Sequence, residues 1–383
     1  MRGVAEGVFY VGVTDKKIDL FEGMYNVPDG VTYNSYIIRD EKTAVIDTVD
    51  GAFGGEWLEN IEKALGGVKP DYLIIQHMEP DHSACIAEFT AKYPEAEVVG
   101  NPKTFVMTEE FFGKGFPENR KVVTDGEKLS LGKHTLQFVF APMVHWPEVM
   151  FTYDESAKIL FSADAFGKFG ASDGEWLGEA RRYYIGIVGK YGVQVQTALK
   201  KVAAYNIEKI APLHGPVLSG NALQNALSAY CKWSGYIPEL DGGVFIAYTS
   251  VYGHTAKAAL LLAKELEKRG VKVKIADLAR DDWAECVAQA FRFPKLVIAT
   301  TTYNASIFPA ANEFIERLAE RGYKNRTVAF IENGSWAPVA AKLMRAKFEN
   351  LKGITFAETA VKIHSALNEE SIAQIEALAA ELV

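Results

Sequence analysis

Cysteine is scarce in this chain: Cys85, Cys231 and Cys286 are its only three. Their odd number and wide spacing argue against a disulfide framework and against a cysteine-held zinc or iron–sulfur site, and they fit a reducing cytoplasm. No unbroken apolar run reaches the roughly eighteen residues of a membrane span. The opening M-R-G-V-A-E-G-V-F-Y lacks the apolar stretch of a signal peptide. Basic charge is also short, with 41 Lys and Arg against 49 Asp and Glu and a net charge of -8, which excludes the footprint of a nonspecific nucleic-acid binder. Neither G-x-G-x-x-G after a strand nor G-x-x-x-x-G-K-[ST] occurs, so nicotinamide fingerprints and triphosphatase loops are missing. There is no internal repeat. The expectation is a soluble cytoplasmic protein without a nucleic-acid or membrane partner.

What is present is an ordinary globular composition, 49% hydrophobic and 23% charged over 383 residues, long enough for two or three domains. Up to about residue 165 short β-rich runs alternate with turns: Y-N-S-Y-I-I, T-A-V-I-D-T, D-Y-L-I-I-Q, E-V-V-G, H-T-L-Q-F-V-F and V-M-F-T-Y. The helical pattern G-G-E-W-L-E-N-I-E-K-A-L interrupts them. The pattern then predicts a helix over about 184–204, a short strand E-K-I-A-P-L, and a helix leading to Trp233. Periodicity lapses in G-Y-I-P-E-L-D-G-G, residues 235–243, where Gly and Pro place a domain boundary. The expected domains are 1–240 and 243–383. Beyond the boundary, G-V-F-I-A-Y, V-K-V-K-I-A-D-L, K-L-V-I-A-T, T-V-A-F-I and I-T-F-A-E-T alternate with helices. Parallel strands need crossovers, so this alternation implies a doubly wound parallel sheet.

Side chains able to hold a metal recur at strand ends of the first domain. His77, Glu79, Asp81 and His82 follow D-Y-L-I-I-Q; His145 follows Q-F-V-F-A-P-M-V; Asp164 follows K-I-L-F-S-A; and His214 follows I-A-P-L. Strand ends feeding one edge of a layered fold would bring the seven together. Each has a bland reading alone: a surface histidine, Asp164 as a helix cap, or H-M-E-P-D-H as a polar turn with Ser83 capping the next helix. Their joint occurrence is much harder to dismiss. His134, His254 and His364 lack that context and stand outside the metal set. Mixed imidazole and carboxylate ligation suits non-haem iron more than hydrolytic zinc, although zinc accepts the same ligand types.

In the second domain T-S-V-Y-G-H-T, residues 249–255, joins a strand to a helix, where small and hydroxyl residues can cradle a phosphate. Ser250, Val251, Tyr252, Gly253, His254 and Thr255 are the candidates, against the alternative of a simple Ser/Thr-capped helix. Two more loops follow central strands and pair an aromatic residue with polar, flexible positions. One carries Thr302, Tyr303, Asn304 and Ala305; the other carries Asn333, Gly334, Ser335 and Trp336.

The ligand order resembles the metallo-β-lactamase superfamily, whose αββα sandwich holds two metals through H-x-H-x-D-H. Here Glu79 stands in place of the second histidine, which matches the flavodiiron proteins (A-type flavoproteins). H-W-P at 145–147, S-A-D-A-F-G at 162–167 and H-G at 214–215 look like further signatures of that family. The second domain resembles flavodoxin, with T-x-Y-N and I-F-P similar to the family's flavin loop. Residues 333–336 depart from the Tyr-Gly-Trp run that many members carry. The resemblance covers nearly the whole chain and implies a metallo-β-lactamase-like sandwich followed by a flavodoxin-like doubly wound sheet, in the minimal two-domain class. It implies one iron on His77, Glu79 and His145, a second on Asp81, His82 and His214, Asp164 between them, and FMN on the three loops. The catalytic unit is then the diiron centre itself, reducing O2 to water or NO to N2O. Rubredoxin is the implied donor (a deazaflavin coenzyme in methanogens), in a head-to-tail homodimer or a dimer of dimers. The readings set against it are a zinc hydrolase with a flavodoxin domain and an electron-transfer flavoprotein with a structural metal site.

Overall fold

The strand Ala44–Ile46 is flanked by Tyr36–Ile38 and Tyr72–Ile74, all fully or nearly fully buried. The computed structural model describes residues 2–172 and 174–383. They form two compact units, Met1–Tyr184 with Tyr191–Cys231, and Ile185–Lys190 with Lys232–Val383.

The first unit holds two mixed sheets. One runs in the order Arg2–Ala5, Val8–Tyr10, Tyr36–Ile38, Ala44–Ile46, Tyr72–Ile74, Glu97–Gly100, Arg120–Val122. The other runs Lys128–Ser130, Thr135–Phe140, Met150–Asp154, Ile159–Phe161, Lys209–Ala211, Leu218–Ser219. Period-two alternation sends Ala44, Ile46, Tyr72, Ile74 and Val99 of the first sheet into one core with Leu136, Phe138, Met150, Ile159, Phe161 and Ala211 of the second. The intervening Val45, Leu73 and Val98 are equally buried on the reverse face. Both faces of the first sheet are therefore covered, which is why its strands read as continuous apolar runs. The helix Gly54–Leu65 buries Trp57 and Ile61, and Trp57 meets Phe89 of the helix Ile86–Lys92 at 5.9 Å.

One expectation needs correction here. The helix expected over 184–204 starts earlier, as Trp176–Tyr183, passes through wide and tight turns over 184–191, and resumes as Gly192–Val202. Gly186, Gly189 and Gly192 lie at the interruption, and glycine inside a helix costs about 1 kcal/mol against alanine. The short strands within residues 2–26 span only two to four residues each, too few to show an alternation in the sequence.

The second unit carries a sheet whose main strands are parallel, in the order Val273–Asp277, Val244–Tyr248, Lys295–Tyr303, Arg326–Asn333, Ile354–Phe356, with the short Ser306–Ile307 antiparallel to Lys295–Tyr303. The segment expected as one last strand is two, Ile354–Phe356 and Val361–Ile363, both parallel to Arg326–Asn333. One face is covered by Ala258, Ala259, Leu262 and Leu266 of the helix His254–Lys268, together with Ile375, Leu378 and Leu382 from the C-terminal segment. Among the described residues no helix is long and apolar enough to cross a membrane.

Candidate metal centre

The H-M-E-P-D-H stretch is aimed by a buried carboxylate. Asp47 follows the strand Ala44–Ile46, and its Oδ1 accepts the backbone N–H of Gln76 at 2.8 Å and of His77 at 3.3 Å. Its Oδ2 accepts Gln76 Nε2 at 3.0 Å. His77 is then held at its far side: Glu148 Oε1 accepts from Nδ1 at 2.8 Å and from the Met78 N–H at 2.8 Å. A carboxylate can only accept, so Nδ1 carries a proton and Nε2 is the nitrogen left to face inward. Pro80 then starts a single helical turn, Pro80–Ser83, which swings Asp81 and His82 to the same interior. Ser83 donates back to the Met78 carbonyl at 2.8 Å rather than capping the following helix, whose N-cap position is Cys85.

The other strand ends supply the rest. His77 Nε2 lies 3.2 Å from Glu79 Oε2 and 3.3 Å from Asp164 Oδ2. His145 Nε2 lies 3.0 Å from the same Asp164 oxygen and 3.2 Å from Glu79 Oε2. Across the carboxylate, His82 Nε2 is 3.1 Å from Asp164 Oδ1 and 3.3 Å from Asp81 Oδ2. His214 Nε2 is 3.3 Å from Asp81 Oδ2 and 3.7 Å from Asp164 Oδ1, and its Nδ1 donates to the Thr32 carbonyl at 2.7 Å. The structure thus gathers all seven sequence candidates into two groups, His77, Glu79, His145 and Asp164 on one side, Asp81, His82 and His214 on the other. Asp164 turns one oxygen to each. It caps no helix; its carbonyl accepts the Gly167 N–H in a tight turn.

Burial makes the arrangement costly unless a cation resolves it. His77, His82 and His214 are fully buried and Asp164 nearly so. Both Asp81 oxygens, Asp164 Oδ1 and His82 Nδ1 are buried without a hydrogen-bond partner. The two Nε2 atoms of His82 and His214 face each other at 3.0 Å. Converging imidazole nitrogens and orphaned carboxylate oxygens in this number are what divalent ions satisfy, so the donor set fits two metal ions. The electrostatics point the same way. Burial opposes a charged His145, yet its contacts with Asp164 and Glu79 outweigh burial and push it up to about 9. Burial likewise resists ionisation of Asp164, but the surrounding imidazoles hold it well below the usual carboxylate range. Aromatic rings close the walls: Trp146 against His77 at 5.3 Å, and Phe21, Tyr33 and Tyr183 against His214 at 5.3, 6.0 and 5.6 Å.

Asp47, Glu148 and Thr32, which orient the candidate ligands, are residues that sequence reasoning missed. Asp47 ends T-A-V-I-D and Glu148 follows H-W-P, but nothing local says which side chain each one meets.

In the second unit the three loops lie at the carboxyl ends of the strands Val244–Tyr248, Lys295–Tyr303 and Arg326–Asn333. Gly253 precedes the helix His254–Lys268 with φ +86°, and Ser250 Oγ accepts its N–H at 3.1 Å. Thr255 is buried, while Val251 and Tyr252 are exposed. Asn304 and Ala305 form a hairpin turn with φ +49° and +56°, presenting Tyr303 to solvent. Thr302 is turned inward, its Oγ1 accepting the Val339 and Ala340 N–H groups at 2.9 and 3.1 Å. Asn333 is also engaged, donating to Thr255 Oγ1 at 3.3 Å and the Ser365 carbonyl at 3.0 Å. Gly334 N–H donates to the Ile363 carbonyl and Ser335 bonds Ser365, which leaves Trp336 outermost at 83% exposure. Open helix N-terminal groups beside exposed Tyr252, Tyr303 and Trp336 suit a phosphate joined to a flat aromatic ring.

Comparison with known proteins agrees with this division. Residues 31–215 match the family model described as ODP family beta lactamase, and residues 246–374 match Flavodoxin. An uncharacterized protein of Methanocaldococcus jannaschii is 30% identical over 91% of this chain and 89% of its own length. A nitric oxide reductase of Moorella thermoacetica is 28% identical over 91% of this chain and 90% of its own. Among solved structures, rubredoxin oxygen:oxidoreductase from Desulfovibrio gigas superposes with a TM-score of 0.92 at 26% identity, covering 99% of this chain and 96% of that one. The flavodiiron protein from Giardia intestinalis gives 0.93 at 26% identity, covering 100% and 95%.

Proposed function

We propose, for a chain that belongs to the flavodiiron protein family, that it reduces O2 to water, NO to N2O, or both, at a non-haem iron pair supplied with electrons through FMN. The observation that carries this reading is Glu79, set between His77 and His145 in a buried group that shares Asp164 with a second group. Anionic oxygen donors favour the higher iron charge reached on oxidation, whereas a histidine in that place would leave a more neutral site. In this reading residues 1–240 carry the metals and 243–383 the flavin. His77, Glu79 and His145 would hold one iron and Asp81, His82 and His214 the other, with Asp164 turning one oxygen to each group.

When bound, a ferrous pair and an FMN hydroquinone supply two electrons each, the four that take O2 to two waters; coupling two NO to N2O and water needs two. The residues' own work is to bind, aim and shield. Glu148 and the Thr32 carbonyl fix which nitrogen of His77 and His214 faces inward. Asp164 keeps the two groups adjacent, so two diatomic molecules, or both ends of one, meet already positioned. Trp146, Phe21, Tyr33 and Tyr183 exclude water around the imidazoles. In the second unit, residues 250–255 take the flavin phosphate at the helix N-terminus, while the loops carrying 302–305 and 333–336 take the ring system. The donor we assign is a rubredoxin-like carrier in the cytoplasm. The working form is a head-to-tail homodimer in which the flavin of one subunit serves the metals of its partner.

The test is a purified full-length chain assayed for iron and FMN, then for anaerobic NO and aerobic O2 consumption with reduced rubredoxin. Two irons, one FMN and rapid consumption of either gas are expected. Loaded protein that consumes neither gas refutes the function. Zinc retained together with esterase or thioesterase activity would move the chain to the hydrolases.

A further inference from the structure

The two metal groups are supported unequally from behind. His77 Nδ1 donates to a carboxylate, Glu148 Oε1, at 2.8 Å, whereas His214 Nδ1 donates to a neutral carbonyl, that of Thr32, at 2.7 Å. His82 Nδ1 is buried with no hydrogen-bond partner. Glu148 itself is fully buried. Its Oε1 accepts His77 and the Met78 N–H, its Oε2 has no partner, and among the described residues no Lys or Arg pairs with it. The residue is also anchored through its backbone, because its carbonyl accepts Asn101 Nδ2. Asn101 is fixed in turn as the cap of the helix Pro102–Phe112, its Oδ1 accepting the Lys103 and Thr104 N–H groups at 2.9 and 3.1 Å.

A buried carboxylate with no cation beside it is expensive. The positive charge that can offset this one must come through the imidazole it touches. A carboxylate also draws on the Nδ1 proton more strongly than a carbonyl does, raising the electron donation of Nε2. Resting on the diiron reading above, we infer that Glu148 is a positioning residue that makes the two metal positions unequal, strengthening the one formed by His77, Glu79 and His145 through His77. The second position, backed by a carbonyl and an unsatisfied nitrogen, is the one that fills last and empties first.

The test uses the full chain, stripped of metal and titrated anaerobically with iron(II), and in parallel cobalt(II), against a chromophoric chelator. Wild type should bind two ions in resolved steps. Glu148→Gln keeps the shape and an acceptor oxygen but removes the charge. It should weaken one step about 10–100-fold, the range for loss of a partner behind a metal-bound histidine. The other step should stay within about threefold. In a His214→Ala background, where only the first position is intact, Glu148→Gln must still weaken the remaining ion by that factor. If Glu148→Gln does not fold, Glu148→Asp withdraws the charge from Nδ1 by one methylene and should weaken the same step. Equal loss at both steps, or no change in either, overturns the inference, since a residue that merely packed the fold would act that way. Cobalt reports the asymmetry whichever metal is native. A protein that rejects iron would therefore refute the reductase reading without touching this one.

Discussion

Asp47→Ala should damage the first unit more than any other single truncation of a polar side chain near the site. Its carboxylate is buried and accepts three hydrogen bonds, from Gln76 N, His77 N and Gln76 Nε2. Each buried donor left unsatisfied costs about 1–3 kcal/mol, so the loss is about 3–9 kcal/mol before relaxation. That rivals the whole stability of a domain, about 5–15 kcal/mol. The backbone adds to it: Asp47 sits at φ +53°, a conformation that aspartate and asparagine tolerate better than alanine by about 1 kcal/mol.

The informative control is Asp47→Asn. Its Oδ1 still accepts both backbone N–H groups. Gln76 Oε1 is buried without a partner, so a flip of the Gln76 amide gives the new NH2 group an acceptor. The flip moves Gln76 Nε2 to the partnerless place of Oε1, so the asparagine variant should cost about 1–3 kcal/mol, one unsatisfied donor rather than three. Two units need not unfold together, so the assay is hydrogen exchange by mass spectrometry on the peptide 72–78, alongside urea unfolding. Fast exchange at Gln76 and His77 in the alanine variant, near-native protection in the asparagine variant, and iron loss in the first alone are expected. An alanine variant costing under about 1 kcal/mol, or an asparagine variant as damaged as alanine, refutes the accounting.

Glu79→His should lose iron and gas-reducing activity together, because it replaces an anionic oxygen shared by His77 and His145; retention of both in metal analysis and turnover would show that the glutamate matters little. Asn333→Ala removes the bonds to Thr255 and Ser365 that fix the 333–336 loop, and fluorescence titration should find FMN bound about 10–100-fold more weakly. The hydrogen bond from His134 to Asp154, 2.6 Å long, outweighs burial and raises the histidine above its usual 6.5. A raised histidine stabilises the fold fully below its unfolded pKa, and the gain is lost as pH rises through its folded pKa. The stability difference between wild type and His134→Gln should therefore be largest below about pH 6.5 and shrink above it; a difference that grows with pH in urea unfolding contradicts this.

The seven candidate ligands could be read from the sequence because each follows a strand, and a buried strand announces itself as an apolar run. D-Y-L-I-I-Q and I-A-P-L end at His77 and His214, and the loops after them have nowhere to go but the sheet edge. The parallel sheet of the second unit was legible for the same reason, since Phe245, Leu296, Ile298 and Val328 bury its second face beside the Val297 and Ile246 face. The partners that aim the ligands left no such trace. Glu148 meets His77 across 71 positions and Asp47 meets Gln76 across 29, and an acidic residue at a strand end is common without any such duty. The helix expected over 184–204 is regular only over Gly192–Val202: V-Q-V-Q-T-A-L-K-K has helical spacing, while the glycines before it fall where the helix opens into wide and tight turns.

That division has a physical basis. A ligand must reach one point, so the fold spends a strand end on it, and strand ends are local features of the chain. An orienting residue need only touch the back of an imidazole, and any element passing within 3 Å or so can supply it. First-contact residues are therefore constrained by topology and orienting residues by packing, and only the former is written at short range. The consequence is testable in the chain itself: moving the carboxylate of Glu148 should alter metal affinity without moving the strands that carry the ligands, whereas breaking the Asp47 hydrogen bonds should alter both. Hydrogen exchange in the peptide 72–78, unchanged in Glu148→Gln and accelerated in Asp47→Ala, separates the two roles.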